Sequence, residues 1–394
     1  MKEKIFQEID KIENQISKLS KDIHGNPELC FQEYKSSGFI KELLIKHGFE
    51  IEDKSGDIET AFKGRYKGKG EGPTIAFLAE YDALPGIGHG CGHNVISAIS
   101  TGAAIALSKV MNGIRGEIIL FGTPAEEGGG GKIILIEKGE FDDIDFALMV
   151  HPSNKAIIGR GGLATTSLEI TYTGISAHSA SPENGVNALQ AVIQTFNLID
   201  STRTQLPMRT NINGIITQGG TAANIIPDKA KCKFSVRART LVELRIVLNK
   251  INNIIKSVEK LTGAKAETTL GKLYAERYPN ITIGEVYKKY MELQGEEINY
   301  PDPNTKIGSS DIGNVTLKIP AIHAYVKIAD DNVISHSLGF TKAAISQRAN
   351  EAIIKSAKAL ACTGYEIMTD KKLRQEIDKE FKEKVPVYNS LDLN

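Results

Sequence analysis

Ala79-Glu80-Tyr81-Asp82-Ala83-Leu84-Pro85-Gly86-Ile87-Gly88-His89-Gly90-Cys91-Gly92-His93-Asn94 follows the apolar run Pro73-Thr74-Ile75-Ala76-Phe77-Leu78. A buried strand therefore opens into a glycine-rich loop that carries carboxylates, a thiol and imidazoles. The loop leads into an alanine-rich stretch over 95–109 that reads as a helix. A second apolar strand, 116–122, is followed by the acidic pair Glu126-Glu127, and a third, 144–150, by His151. Helical patterning over 132–138 separates them. Strands alternating with helices predict an α/β domain with a mostly parallel sheet flanked by helices. Ligands of such sheets bind beyond the carboxyl ends of the strands, and every one of these side chains falls there.

Outward from this centre, Ile5, Ile9, Ile12, Ile16 and Leu19 recur at helical spacing over 2–24, and a second helix is predicted over 35–47. From about 164 the pattern changes. Residues 165–173 alternate as a half-exposed antiparallel strand does. A helix over 185–200, strands near 212–218 and 230–239, a helix over 241–261 and a strand near 265–269 complete the order β-α-β-β-α-β, a compact ferredoxin-like α+β insert. Further elements follow over 281–293, 319–328 and 341–362, then a charged tail with one helix and a frayed end. The simplest organisation is a split catalytic domain, 1–163 and 278–394, with an inserted lid at 164–277.

Lysine plus arginine and aspartate plus glutamate number 48 each, for a net charge of zero. That balance gives no electrostatic case for nucleic acid or an anionic membrane. No apolar stretch approaches the roughly 20 residues of a membrane span. The charged amphipathic start Met1–Glu8 is unlike a signal peptide, so a cytoplasmic location is expected. Four scattered cysteines, Cys30, Cys91, Cys232 and Cys362, suit a reducing compartment.

Thiolate, imidazole and carboxylate together are the ligands of a divalent cation such as zinc. Cys91 and His93 lie two apart in a tight turn and can face one point. Of Glu126 and Glu127, one can ligate while the other serves as a base toward water. His151 adds an imidazole from the neighbouring strand end. Competing motifs fail. Gly128–Lys132 lacks the leading glycine and the Ser/Thr of a phosphate loop, Cys91 stands where a dinucleotide loop needs glycine, and no Gly-x-Ser-x-Gly occurs. A Cys91–His93 nucleophile pair would have poor geometry inside one loop.

A set of motifs in fixed order then gives a resemblance. They are His24-x-x-Pro27-Glu28-Leu29, Glu80–Pro85, Cys91-Gly92-His93-Asn94, Pro124–Gly129, Ala147–Pro152, Gly174–Ala180, Asn224-Ile225-Ile226-Pro227 and Gly308–Asn314. Across nearly its whole length the chain resembles the aminoacylase/carboxypeptidase-G-type metallopeptidases of peptidase clan MH, in their amidohydrolase branch. Within it the p-aminobenzoyl-glutamate hydrolase, HmrA and β-alanyl dipeptidase types are most alike. The resemblance implies a dinuclear zinc-exopeptidase-like fold and two divalent metal ions, usually zinc and sometimes manganese. Cys91 would bridge them, with His93, Glu127, His151 and a late histidine as the other ligands. His336 matches the late position, with His323 the competitor. Glu126 would be the general base, and Asp82 would orient a ligand histidine. The lid would also form a homodimer, which could pair into a tetramer, and its His178 would reach the partner's active site, with Asn224 and Arg237 on the substrate side. The implied activity is hydrolysis of amide or peptide bonds in small acyl-amino acid or dipeptide-like substrates. The chain departs from the family at Asn94, where many members carry aspartate. That departure leaves open a catalytically silent metal-binding scaffold, and a thiol hydrolase using Cys91 is a further alternative.

Overall fold

The structure is a computed structural model that describes residues 1–302 and 307–388. Its contacts divide it into two compact units. One comprises Met1–Gly161 and Arg277–Pro386; the other comprises Gly162–Glu276 with Val387 and Tyr388 among the described residues. The end of the tail lies outside the described residues.

The first unit is built on six strands, β1 (Glu50–Asp53), β2 (Phe62–Lys67), β3 (Thr74–Ala79), β4 (Glu117–Gly122), β5 (Phe146–Ser153) and a late strand at Ala321–Lys327. Sheet order is β1-β2-β4-β3-β5 and then the late strand. The last four run parallel, while β1 and β2 are antiparallel additions at one edge. The helix His93–Ser108 is buried along its full length. Its small residues allow that. A Cβ on Gly102 would meet Ile16 and Ala357 at 3.1 and 3.3 Å, so neighbouring helices approach almost to backbone distance. Ile5, Ile9, Ile12, Ile16, Leu19 and Ile23 form the buried stripe of helix Lys2–Gly25. Each such side chain contributes about 1.5–3 kcal/mol when removed from water.

Several boundaries differ from the expectation. Strand β5 continues through His151, because the parallel partner strand pairs on through Tyr325. The helix expected over 341–362 is two, Leu338–Ala343 and Gln347–Thr369. Ser346 divides them: its side chain accepts from Ala349 N–H and so caps a new helix.

The second unit contains β6 (Ala164–Thr173), β7 (Asn211–Gln218), β8 (Lys229–Ala238) and β9 (Lys265–Leu270), making the late strand of the first unit β10. All pair antiparallel in the order β7-β8-β6-β9. Helices Ala188–Ser201 and Leu241–Thr262 supply the cover. Strand β6 alternates, burying Leu168, Ile170 and Tyr172, while β8 buries Cys232, Phe234 and Val236. The helix expected from 185 begins at Ala188, where the Asn187 side chain accepts from Gln190 N–H. Strand β7 is an edge, and its Ile215 and Ile216 are 60% and 47% exposed.

Candidate metal centre

The strands β4, β3 and β5 are adjacent in the sheet, and the chain leaving β3 and β4 and the final residues of β5 around His151 bring polar side chains to one place. After β3, the loop closes with a Leu84–Gly88 bridge and turns at Gly92, which has φ +82°. A Cβ on Gly92 would lie 2.7 Å from Pro152 Cγ, so only glycine fits this approach to β5. His93 is then the first residue of the long buried helix. After β4, Ala125 adopts φ +60° and its N–H donates to Glu33 Oε1 at 3.0 Å. A non-glycine residue in this region is held there by its surroundings, and Glu126 and Glu127 follow it directly. His336 also has positive φ, and its N–H donates to Gly90 O at 2.8 Å.

Among the described residues, three groups of side chains could each hold a cation: Cys91 with His93 and His151, Cys91 with Glu127 and His336, and His93 with Glu126 and Glu127. In each, the ligand atoms lie within 4.8 Å of one another. Cys91 Sγ is 3.4 Å from His151 Nε2. His336 Nε2 is 3.3 Å from Glu127 Oε1. His93 is buried, and its Nδ1 faces Asp82 O and Oδ1 at 2.9 and 3.0 Å. Both partners are acceptors, so Nδ1 carries the proton and Nε2 is left for another partner. Asp82 Oδ2 in turn accepts from Glu127 N–H at 3.0 Å. His93 Nε2 and Glu127 Oε1 are buried without a hydrogen-bond partner among the described residues.

The electrostatics fit this crowding of acids and imidazoles. Burial pushes the Asp82 carboxyl up, but the His93 ring, Glu127 N–H and Lys132 outweigh it and hold the group at about 2. Glu126 is pushed well up, first by burial and then by Glu80, Glu127 and Asp311. Burial also drives the Cys91 thiol well up, with Glu127 adding to it. Burial and the neighbouring His93 lower His151 to about 4. A bound cation reverses this logic for thiol and imidazole alike.

His323 stands apart from these groups. Its Nδ1 lies 2.9 Å from Arg277 Nη1, and its ring is 5.3 Å from that of His151. Asn94 is buried and its amide donates to Ser20 Oγ and Ala344 O at 2.9 and 3.0 Å, so it ties two helices and the late loop together. His24 Nε2 lies 2.9 Å from Thr341 O, and His89 Nε2 is 3.1 Å from Ile23 O. In the second unit, His178 and Asn224 are exposed neighbours: His178 bridges Ile225, and Ser179 N–H donates to Asn224 O at 3.0 Å. Arg237 lies elsewhere, opposite Thr165 at the other end of β6.

A buried trio lies beneath the centre and was not singled out from the sequence. Lys132 Nζ is 2.5 Å from Glu80 Oε1 and 2.8 Å from Asp311 Oδ1. The signal was a lysine heading the apolar run Ile133-Ile134-Leu135-Ile136, where the fold offers no water.

A model of the peptidase dimerisation domain matches residues 158–262. Xaa-Arg dipeptidase of Mus musculus is 32% identical, the alignment spanning 97% of this chain and 92% of that protein. A p-aminobenzoyl-glutamate hydrolase component of Escherichia coli (strain K12) is 24% identical, with 92% and 91% covered. Among solved structures, a Bacillus subtilis protein described as a dinuclear metal-binding peptidase from the M20 family superposes with TM-score 0.67 at 20% identity, covering 91% of this chain and 99% of that one. The aminobenzoyl-glutamate utilization protein of Klebsiella pneumoniae gives TM-score 0.73 at 16% identity, with 92% and 98% covered.

Proposed function

The chain belongs to the M20 peptidase family, and from that premise we propose that it hydrolyses an amide or peptide bond in small acyl-amino acid or dipeptide-like substrates with two divalent metal ions. The observation that carries the reading is Cys91, whose sulfur belongs to two ligand groups at once. It would bridge one ion held by His93 and His151 and another held by Glu127 and His336. The residues fit such ions: His93 Nε2 and Glu127 Oε1 are buried and make no hydrogen bond among the described residues, although Glu80 and His336 lie 3.4 and 3.3 Å from them. A thiolate with imidazoles and carboxylates suits zinc better than manganese.

When bound, the ions would supply a water of lowered pKa and polarise the scissile carbonyl. The remaining work falls to side chains. Asp82 would hold the His93 ring through Nδ1 and fix the Glu127 backbone through its other oxygen. Glu126, beside the His93 and Glu127 ligands, would take the proton of the attacking water and return it to the leaving amine. His178 of a second copy would hydrogen-bond the developing oxyanion. Its Nδ1 accepts from Ala180 N–H at 3.1 Å, which leaves Nε2 as the donating nitrogen.

Asn224 and Arg237 would line the substrate side. Within one lid, Arg237 sits opposite Thr165, while His178 and Asn224 lie beyond Thr173. Eight residues of strand separate those ends by about 27 Å. A pocket lined by all three would therefore take Arg237 from one copy and His178 and Asn224 from another. Edge strand β7, with its exposed Ile215 and Ile216, is the surface proposed to meet that second copy. A thiol hydrolase is disfavoured, because burial keeps Cys91 protonated unless a cation holds the sulfur.

The test is the metal content of the purified protein, with turnover measured before and after chelation. The panel would hold N-acyl amino acids, p-aminobenzoyl-glutamate and dipeptides, including those ending in arginine. The expected outcome is about two metals per chain and activity that chelation removes and added metal restores. Turnover that survives complete metal removal would sink the mechanism.

A further inference from the structure

We propose that Glu33 is a positioning residue for the reaction: through the backbone of Ala125 it sets where Glu126 stands. The inference rests on the hydrolytic reading above and adds to it a residue that belongs to none of the ligand groups.

Glu126 lies between two backbone N–H groups, each held by a buried carboxyl. On one side Glu127 N–H donates to Asp82 Oδ2 at 3.0 Å. On the other, Ala125 N–H donates to Glu33 Oε1 at 3.0 Å. Ala125 lacks the freedom of glycine, yet it sits at φ +60° and is wholly buried. Its carbonyl accepts from Gly129 N–H at 3.1 Å, which closes the turn that carries both glutamates. The left-handed region is unfavourable for alanine, so a specific contact has to hold it there, and the bond to Glu33 is that contact.

Glu33 is placed to hold rather than to follow. It is 0% exposed and stands at the head of helix Tyr34–Lys46, where its carbonyl accepts from Ser37 N–H at 3.0 Å. Its other side-chain oxygen accepts from the Thr60 hydroxyl at 2.9 Å, and Thr60 O accepts from the Tyr81 hydroxyl at 2.6 Å. Phe31, itself at φ +62°, presses on the same turn: a Cβ on Gly129 would lie 2.4 Å from Phe31 Cε2. Residues 31–33 thus clamp the acidic turn. The geometry uses an acceptor at Glu33 rather than a charge, and this separates the variants. Glutamine keeps the acceptor, and its amide can donate to the Thr60 hydroxyl, whereas leucine has no acceptor at all.

The experiment compares Glu33→Gln and Glu33→Leu by steady-state kinetics on a panel substrate that wild type cleaves, and by crystal structures of the metal-free proteins. Glu33→Gln should stay within about threefold of the wild-type kcat. Glu33→Leu should lose about tenfold to a hundredfold in kcat with KM nearly unchanged, because a misplacement of about 1 Å costs a reaction that much. In its structure Ala125 should leave positive φ and the Glu126 carboxyl should move. Adding Ala125→Gly to Glu33→Leu should recover most of the loss, since glycine takes positive φ without a partner. A Glu33 that only stabilised the fold would lower Tm and give no such recovery of kcat. Glu33→Leu with wild-type kcat, or with Ala125 and Glu126 still in place, overturns the proposal, as does a Glu33→Gln as impaired as Glu33→Leu. Should Glu33→Leu not fold, Thr60→Val decides. A kcat loss of about threefold or more that Thr60→Ser restores supports the proposal, and wild-type kcat overturns it. A wild type that cleaves nothing on the panel would end the hydrolytic reading, and the crystal structures alone would then judge whether Glu33 places Glu126.

Discussion

At the scale of single residues, Asn94 shows how one atom decides a position. The resemblance puts aspartate there in many members, yet here the amide donates to Ser20 Oγ and Ala344 O in a fully buried setting. A carboxylate would face the Ala344 carbonyl with no proton to give. Asn94→Asp is therefore expected to destabilise the metal-free protein by about 2–4 kcal/mol, a fall in Tm of roughly 2–5 °C by calorimetry. An unchanged Tm would show that the helix tie carries no weight. Cys91, His93, Glu127 and His151 stood out as candidates because ligand-type side chains after apolar strands are conspicuous, whereas His336 came from the resemblance alone. Glu80 and Lys132 were hidden for a physical reason. Lys132 becomes significant only beside carboxylates 52 and 179 residues away in the chain, and no local pattern reports such distances.

At the scale of elements, the helix Ile281–Glu292 shows a long-range cap. Glu380 accepts from Ile281 N–H at 2.9 Å, Thr282 N–H at 2.7 Å and the Thr282 hydroxyl at 2.6 Å. Burial alone would push Glu380 up, but these donors outweigh it and hold the carboxyl below its ordinary range. Its contribution is thus present above the unfolded pKa of about 4.3 and is lost as pH falls through the lower folded value. Glu380→Gln should cost about 1–2 kcal/mol at pH 7, and urea unfolding should show the gap to wild type closing in acid. A gap that stays constant in acid would remove the charge from the explanation. Long elements with apolar periodicity, such as Lys2–Gly25 and Leu241–Thr262, were readable from spacing alone. Strand β1 was not, since its four residues, Glu50–Asp53, bury nothing fully and exist only because β2 pairs beside them. The break at Ser346 was missed because the apolar pattern continues across it, and the cap forms only once the chain turns.

At the scale of the whole molecule, the insert's β-α-β-β-α-β order was legible, because alternating strands and amphipathic helices each carry their own period. Its proposed task came from the resemblance rather than from spacing, since in the shared-site reading His178, Asn224 and Arg237 act together only across two lids. The shared-site proposal makes a sharp demand. His178→Ala and Glu126→Ala should each lose nearly all turnover as homodimers. Mixed dimers should regain up to about half of the wild-type dimer's activity, because one of the two centres then holds an intact Glu126 and receives an intact His178. Verified heterodimers with no activity would show that each copy works alone. The exposed margin of β7, with Ile215 and Ile216 turned outward, has a practical side as well. A chain that has lost its fellow leaves that backbone ladder open, and open apolar ladders recruit one another into fibrils or precipitate. Storage loss would then follow whatever separates the copies, and the remedy would be a condition that holds the pair together.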